Sequence, residues 1–185
     1  LIYENSFNIT LDNNRVLSTS LHAILIDGGS KISVLRNFVN VSSYQGIYLY
    51  YNCDNNTIAH NRVENVNLAA TSNSAGIRLL DYNDYNEIYN NTVETSWRGV
   101  YLRLSNYNTI YNNTVKNNRQ AGIVLSTNHH NDVFNNSVSN DYGVTSQDYG
   151  IWLAGSDYNN VYDNIATNNY VNGILLQGSD SNNFS

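Results

Sequence analysis

The sequence predicts an all-β, right-handed parallel β-helix, a single-stranded solenoid of about eight coils of roughly 23 residues each. Three observations lead there: a self-similar unit at nearly constant spacing, an Asn at a fixed offset inside it, and a composition suited to strands joined by tight turns. The clearest unit reads N-T-I-Y-N-N-T-V at 108–115, with relatives at 86–93 (NEIYNNTV), 131–138 (NDVFNNSV) and 56–63 (NTIAHNRV).

Each element of the coil follows from this register. The apolar anchors are Leu11, Val34, Ile58, Ile88, Ile110, Val133, Val161 and Phe184, spaced by 23, 24, 30, 22, 23, 28 and 23 residues. Three positions after the first seven anchors stand Asn14, Asn37, Asn61, Asn91, Asn113, Asn136 and Asn164. Five positions after them stand Val16, Val39, Val63, Val93, Val115, Val138 and Ala166. A second motif, G-[IV]-x-L, begins at Gly46, Gly76, Gly99, Gly122, Gly150 and Gly173, and Ala23-Ile24-Leu25-Ile26 is a degenerate first copy. Its alternation marks a strand with one buried face. The distance from this motif to the next anchor hardly varies, so the two long coils take their extra length in loops at about 64–75 and 139–149, between the Val and the Gly. A leucine-rich repeat has a similar period but needs a leucine ladder that the chain lacks.

Stacking coils in parallel about 4.8 Å apart turns each repeated residue into a vertical column. The Ile, Val and Leu columns are the expected core. The Asn column can pass amide hydrogen bonds from rung to rung at a tight bend. Gly before the strand supplies either an unusual φ or a close approach of the chain.

Composition narrows function. Of 185 residues 36 are Asn and 16 Tyr, with 13% charged, no Pro and no Met. A net charge of −6 without a basic stripe argues against a nucleic-acid partner. Cys53 is the single cysteine, so no intrachain disulfide forms, and it reads as a small half-buried residue. No apolar run is long enough to span a membrane and no signal-peptide pattern is present. The chain starts at Leu1 and stops at Ser185 in mid-coil, which reads as a segment of a longer chain with partners of its own kind, further β-helix coils packed end to end.

At these motifs the whole chain resembles the parallel β-helix repeats of the pectin lyase-like superfamily, most of all the NosD-type repeats of periplasmic and archaeal surface proteins. The resemblance implies the fold and an extracellular or cell-surface location. It is far less specific for activity, because the superfamily spans polysaccharide lyases, glycoside hydrolases, a copper-maturation accessory protein, adhesins and surface-layer components. The hydrolase signatures N-T-D, D-D, G-H-G and R-I-K are absent, and with no Met, one Cys and four dispersed His the chain is poorly equipped for soft copper. No recognisable lyase or hydrolase constellation appears, and no cofactor is expected. The one cation to consider is Ca2+, at Asp157 and Asp180, which hold equivalent turn positions in successive coils, with His129 one coil earlier.

Two surface features remain. Tyr89, Tyr111, Phe134 and Tyr162 each follow an anchor and should form an outward aromatic row; Tyr48, Tyr101 and Trp152 occupy the outward x of G-[IV]-x-L. Such a face can stack on sugar rings or bury against protein, while Tyr is also a good cross-strand stacker in its own right. Seven N-x-[ST] sequons, at Asn8, Asn40, Asn55, Asn90, Asn112, Asn135 and Asn183, are candidate glycosylation sites, although the repeat itself spells N-N-T-V. Asn90, Asn112 and Asn135 would stack too closely for all three to carry glycans. The leading expectation is a structural cell-envelope module, a spacer, surface layer or fibre component. The alternative is a carbohydrate-active enzyme or carbohydrate-binding domain, with the two loops walling a groove over the aromatic row and Glu64, Glu94, Asp141 and Asp148 as the nearest acids.

Overall fold

The computed structural model describes residues 1–3, 5–66, 74–141 and 146–185. Among these, an eight-stranded first sheet runs from Thr10–Asp12 to Asn183–Phe184, a seven-stranded second sheet from Arg15–Thr19 to Ile165–Thr167, and a seven-stranded long sheet from His22–Asp27 to Asn172–Gln177. The first seven coils each contribute one strand to each sheet in turn, the last strand Asn183–Phe184 joins the first sheet, and every pairing is parallel. The anchors pair as the repeat predicts, Leu11 with Val34 and onward through Ile58, Ile88, Ile110, Val133 and Val161 to Phe184.

The core lies between the three sheets. Val34, Ile58, Ile88, Ile110 and Val133 from the first sheet, Val39, Val63, Val93, Val115 and Val138 from the second, and Ile47, Leu49, Ile77, Leu79, Leu102, Ile123 and Leu125 from the long sheet are all 0% exposed. Each such side chain contributes roughly 1.5–3 kcal/mol by leaving water. In the last coil the equivalent positions Ile174 and Leu176 are 40% and 43% exposed.

The corner between first and second sheets is two residues long. Its leading residue is left-handed in each described coil, Asn13, Arg36, His60, Asn90, Asn112, Asn135 and Asp163 having φ between 52° and 59°. Asn tolerates this region best because its short side chain bonds locally. The following Asn builds the predicted ladder: Asn91 donates both its backbone N–H and its Nδ2 to Asn113 Oδ1, at 3.0 Å each, and Asn113 does the same to Asn136 Oδ1. Each Nδ2 also reaches a carbonyl one coil back, as Asn113 Nδ2 reaches Ile88 O at 2.9 Å. A strand ladder cannot satisfy the N–H groups at so sharp a bend, and the amides do.

Of the two roles open to the motif glycine, the structure selects close approach. A Cβ on Gly99 would lie 2.3 Å from Val115 Cγ1 and 2.6 Å from Gly122 O, and one on Gly122 2.2 Å from Val138 Cγ1. Neither residue has a positive φ. Only a hydrogen fits where the long sheet folds against the next coil's Val.

Candidate functional site

The outer face of the long sheet carries the richest chemistry. Between the core residues of each strand one side chain points outward, giving the registered column Leu25, Tyr48, Arg78, Tyr101, Val124, Trp152 and Leu175. Tyr48 and Tyr101 are only 8% and 7% exposed, which corrects the expectation that these rings form an open face. The reason lies in their neighbours. The Arg78 guanidinium sits between them, 5.5 Å from the Tyr48 ring centre and 5.3 Å from that of Tyr101. Arg98 lies 4.3 Å from the same Tyr101 ring, and the His22 ring 4.9 Å from Tyr48. Tyr101 also packs with Ala75, Ala121 and Val124, against which the half-buried Tyr149 and Trp152 lean. Cations and rings therefore alternate along this column.

Burial is the largest cause of the pKa shifts in the cluster. It lowers the pKa of both Arg78 and Arg98, the latter further through Arg78 itself. Burial and then Arg78 hold the His22 imidazole below its usual value. The Tyr48 phenol is pushed up to about 12, chiefly by burial. Arg98 Nε donates to Gln120 Oε1 at 2.6 Å, while Arg98 Nη1, Trp97 Nε1 and Trp152 Nε1 are buried with no hydrogen-bond partner.

The aromatic row on the first sheet forms as the repeat predicts. Ring centres run 4.9 Å from Tyr89 to Tyr111, 5.1 Å to Phe134 and 4.9 Å to Tyr162, with planes within 14°. Stacked this way, the rings spend their faces on one another and turn edges outward, and at the Tyr89 end the His60 ring lies 5.6 Å away, so the row offers a sugar little free ring face. A second row went unread in the sequence: Tyr85, Tyr107, His130 and Tyr158 stack at 5.1, 5.1 and 5.5 Å. The signal was available, since each directly precedes the first Asn of its repeat. All four are left-handed, with φ of 56–59°.

The acids fall differently from the expectation. Glu64 and Glu94 lie on the outer face of the second sheet, held by Arg62 at 2.9 and 3.4 Å, with Lys116 3.5 Å from Glu94. Asp141 accepts from Asn117 Nδ2 at 2.8 Å. Asp148, just before the strand Tyr149–Ala154, has its pKa raised by burial. The strands on either side of the two long connections are Arg62–Val66 and Ala75–Leu80, and Ser137–Ser139 and Tyr149–Ala154, so each connection runs from the second sheet to the long sheet. The expected loops at 64–75 and 139–149 fall largely on 67–73 and 142–145, outside the described residues.

Asp157 and Asp180 do stack, in a column of Asp54, Asp84, Asn106, His129, Asp157 and Asp180. Each side chain accepts the backbone N–H of the next member, Asp180 N–H reaching Asp157 Oδ1 at 2.7 Å and Asp157 N–H reaching His129 Nδ1 at 3.3 Å. A hydrogen bond thus relieves the pair. Among the described residues no group of three or more His, Cys, Asp or Glu side chains converges. Cys53 is fully buried, and burial raises its thiol pKa.

Of the sequons, Asn8, Asn55, Asn90, Asn112, Asn135 and Asn183 are exposed. Asn40 is half-buried and its Nδ2 is engaged by Glu64 Oε1 at 2.9 Å. The second Asn column was also missed as a ladder, although its members open the repeat motif: Asn56, Asn86, Asn108, Asn131, Asn159 and Asn182 pass the same backbone-to-amide bonds at 2.8–2.9 Å.

The architecture can be set beside known proteins. The Dettilon tailspike protein superposes with a TM-score of 0.70 at 21% identity, covering 100% of this chain and 42% of its own. The A-module of the Azotobacter vinelandii mannuronan C-5 epimerase AlgE4 gives 0.64 at 16% identity, covering 99% and 59%. The enzymatically active domain of bacteriophage CBA120 tailspike protein 2 gives 0.61 at 12%, covering 99% and 35%. The chain spans less than two thirds of each of these structures, and at such identities the likeness concerns the fold. No curated protein matches the sequence. The model of the right handed beta helix region matches residues 1–147, and with three parallel sheets wound coil by coil the chain belongs to that family.

Proposed function

We propose that this chain is a carbohydrate-binding β-helix that works outside the cell or at its surface and holds a sugar polymer along the outer face of the long sheet. The observation that carries the reading is the half-buried Arg98, Tyr149 and Trp152 packed around the buried Tyr101 ring, with three donors nearby that lack acceptors. Sugars match this chemistry because they offer apolar ring faces and many acceptor oxygens. The similar folds of two tailspike proteins and a mannuronan C-5 epimerase support it. Retention of the protein on a broad panel of immobilised polysaccharides is the test. Binding to at least one, weakened at least tenfold by Tyr101→Ala together with Trp152→Ala, is expected; retention on none would end the reading.

A second reading, a rigid structural spacer, is favoured by the unbroken stack of three parallel sheets and its amide ladder. In either role we infer that some exposed sequons carry glycans in the native source.

A further inference from the structure

We propose that Arg98, in the same strand as Tyr101, and Arg78, the register partner of Tyr101 one coil earlier, form an anion-recognition site for the charged group of an acidic polysaccharide, a carboxylate or a sulfate ester. This rests on the carbohydrate reading above and names the class of sugar it concerns.

Both guanidinium groups lie within cation–π distance of one ring, at 5.3 and 4.3 Å, so two positive charges are gathered at one spot on a chain whose net charge is −6. A guanidinium cannot shed its proton near neutral pH, so the cost of burying it has to be met by other groups. For Arg98 these are a ring face and the Gln120 amide oxygen at 2.6 Å, both uncharged. Among the described residues Arg36, Arg62 and Lys116 form ion pairs and Arg98 forms none. Arg98 Nη1 remains buried without a hydrogen bond, and an oxyanion would supply the missing acceptor.

The neighbouring groups point to a polymer rather than a free ion. Trp97 Nε1 and Trp152 Nε1 are further buried donors without partners, and neither can accept. Val124 and Trp152 continue the column in successive coils, about 4.8 Å per rung, comparable to the length of one sugar unit. A carboxylate at the half-buried Arg98 thus leaves the next units toward the half-buried Trp152, with its indole ring and N–H. The overall negative charge does not forbid this, because at physiological salt charges beyond about 8 Å are largely screened while the buried pair is not.

The experiment compares one backbone in three charge states: dextran, carboxymethyl dextran and dextran sulfate, immobilised, with the full chain applied at increasing salt. Wild type should be retained on the charged matrices and not on dextran, and released by salt. Arg98→Gln should weaken retention at least tenfold with an unchanged melting temperature, and Arg98→Lys, which keeps the charge without the planar fork, should fall between them. Tyr101→Phe, which keeps the ring beneath both cations, should bind like wild type. Equal retention on all three matrices, or binding indifferent to Arg98→Gln, would overturn the anion site while leaving the carbohydrate reading intact. Retention on none of the three would also overturn it, and the wider polysaccharide panel then decides the carbohydrate reading separately.

Discussion

Replacing Asn113 by Leu removes one rung from the middle of the amide ladder, and the structure fixes what is lost. Asn113 is 1% exposed; its Oδ1 accepts from Asn91 N and Asn91 Nδ2 at 3.0 Å each, and its Nδ2 donates to Ile88 O, Tyr111 O and Asn136 Oδ1 at 2.9, 3.0 and 3.0 Å. After the substitution Asn136 Oδ1 keeps the backbone N–H of residue 113 and Asn91 Nδ2 keeps Ile58 O, so neither is stranded. The buried Asn91 N–H is, at about 1–3 kcal/mol, and the remaining lost bonds add roughly 0.5–1.5 kcal/mol each, partly offset by the apolar surface of Leu. A loss of about 3 kcal/mol is expected. Asn14 heads the same column at an exposed position, donating to Asn37 without serving as an acceptor for another rung, so Asn14→Leu should cost less than about 1 kcal/mol. Urea unfolding of both variants, compared at constant m-value, reads the difference. A neutral Asn113→Leu, or equal costs at the two positions, would refute the ladder as a source of stability.

Gly99→Ala should destabilise the fold by at least about 2 kcal/mol, since its Cβ meets Val115 Cγ1 at 2.3 Å, and thermal melting checks this. Thr127 is exposed and β-branched at φ 56°, where equivalent coils carry Gly155 and Gly178; Thr127→Asn should raise stability by about 0.5–1 kcal/mol in urea titration. His22 is held below 6.5 when folded, so the unfolded chain binds its proton first as pH falls. The His22 contribution is therefore present above 6.5 and lost as pH drops toward the folded value; the urea midpoint should fall between about pH 7.5 and 5.5, and His22→Gln should flatten that fall. Burial raises the pKa of Asp84 and Asp148, so they act in the opposite sense, gaining stability as pH falls through their folded values toward 3.8. Mass spectrometry of native peptides should find glycans on exposed sequons but not on Asn40, and never on Asn90, Asn112 and Asn135 of one molecule together, because their strands are about 4.8 Å apart.

The fold was legible because a solenoid writes each contact into the sequence as a repeat. Pairing Ile88 with Ile110 or Asn91 with Asn113 requires only equal offsets, and those offsets survive the insertions. The candidate site was less legible. Tyr48 and Tyr101 were recognised as outward residues, but their burial depends on Arg78 and Arg98, which occupy positions where other coils carry Val124 or Ala121. A pattern search discards such irregular residues as noise, although departures from the repeat are where a solenoid can hold function. The aromatic row was placed correctly, yet its face-to-face stacking, which turns edges outward, is a matter of χ angles that spacing does not encode. The second row was hidden because His130 interrupts a run of Tyr, and because bulky left-handed residues are uncommon enough to discourage the reading.

The amide ladder is a chain of links, and its arithmetic differs from that of independent contacts. An interior Asn takes part in two links, one to each neighbouring rung. Two substitutions far apart in the column therefore break four links, whereas two on adjacent rungs share one and break three. Asn91→Leu with Asn113→Leu should cost less than the sum of the single changes, and Asn61→Leu with Asn136→Leu should cost the full sum. Neighbouring defects are thereby forgiven more readily than scattered ones, so such a column tolerates the loss of a contiguous stretch better than the same number of isolated gaps.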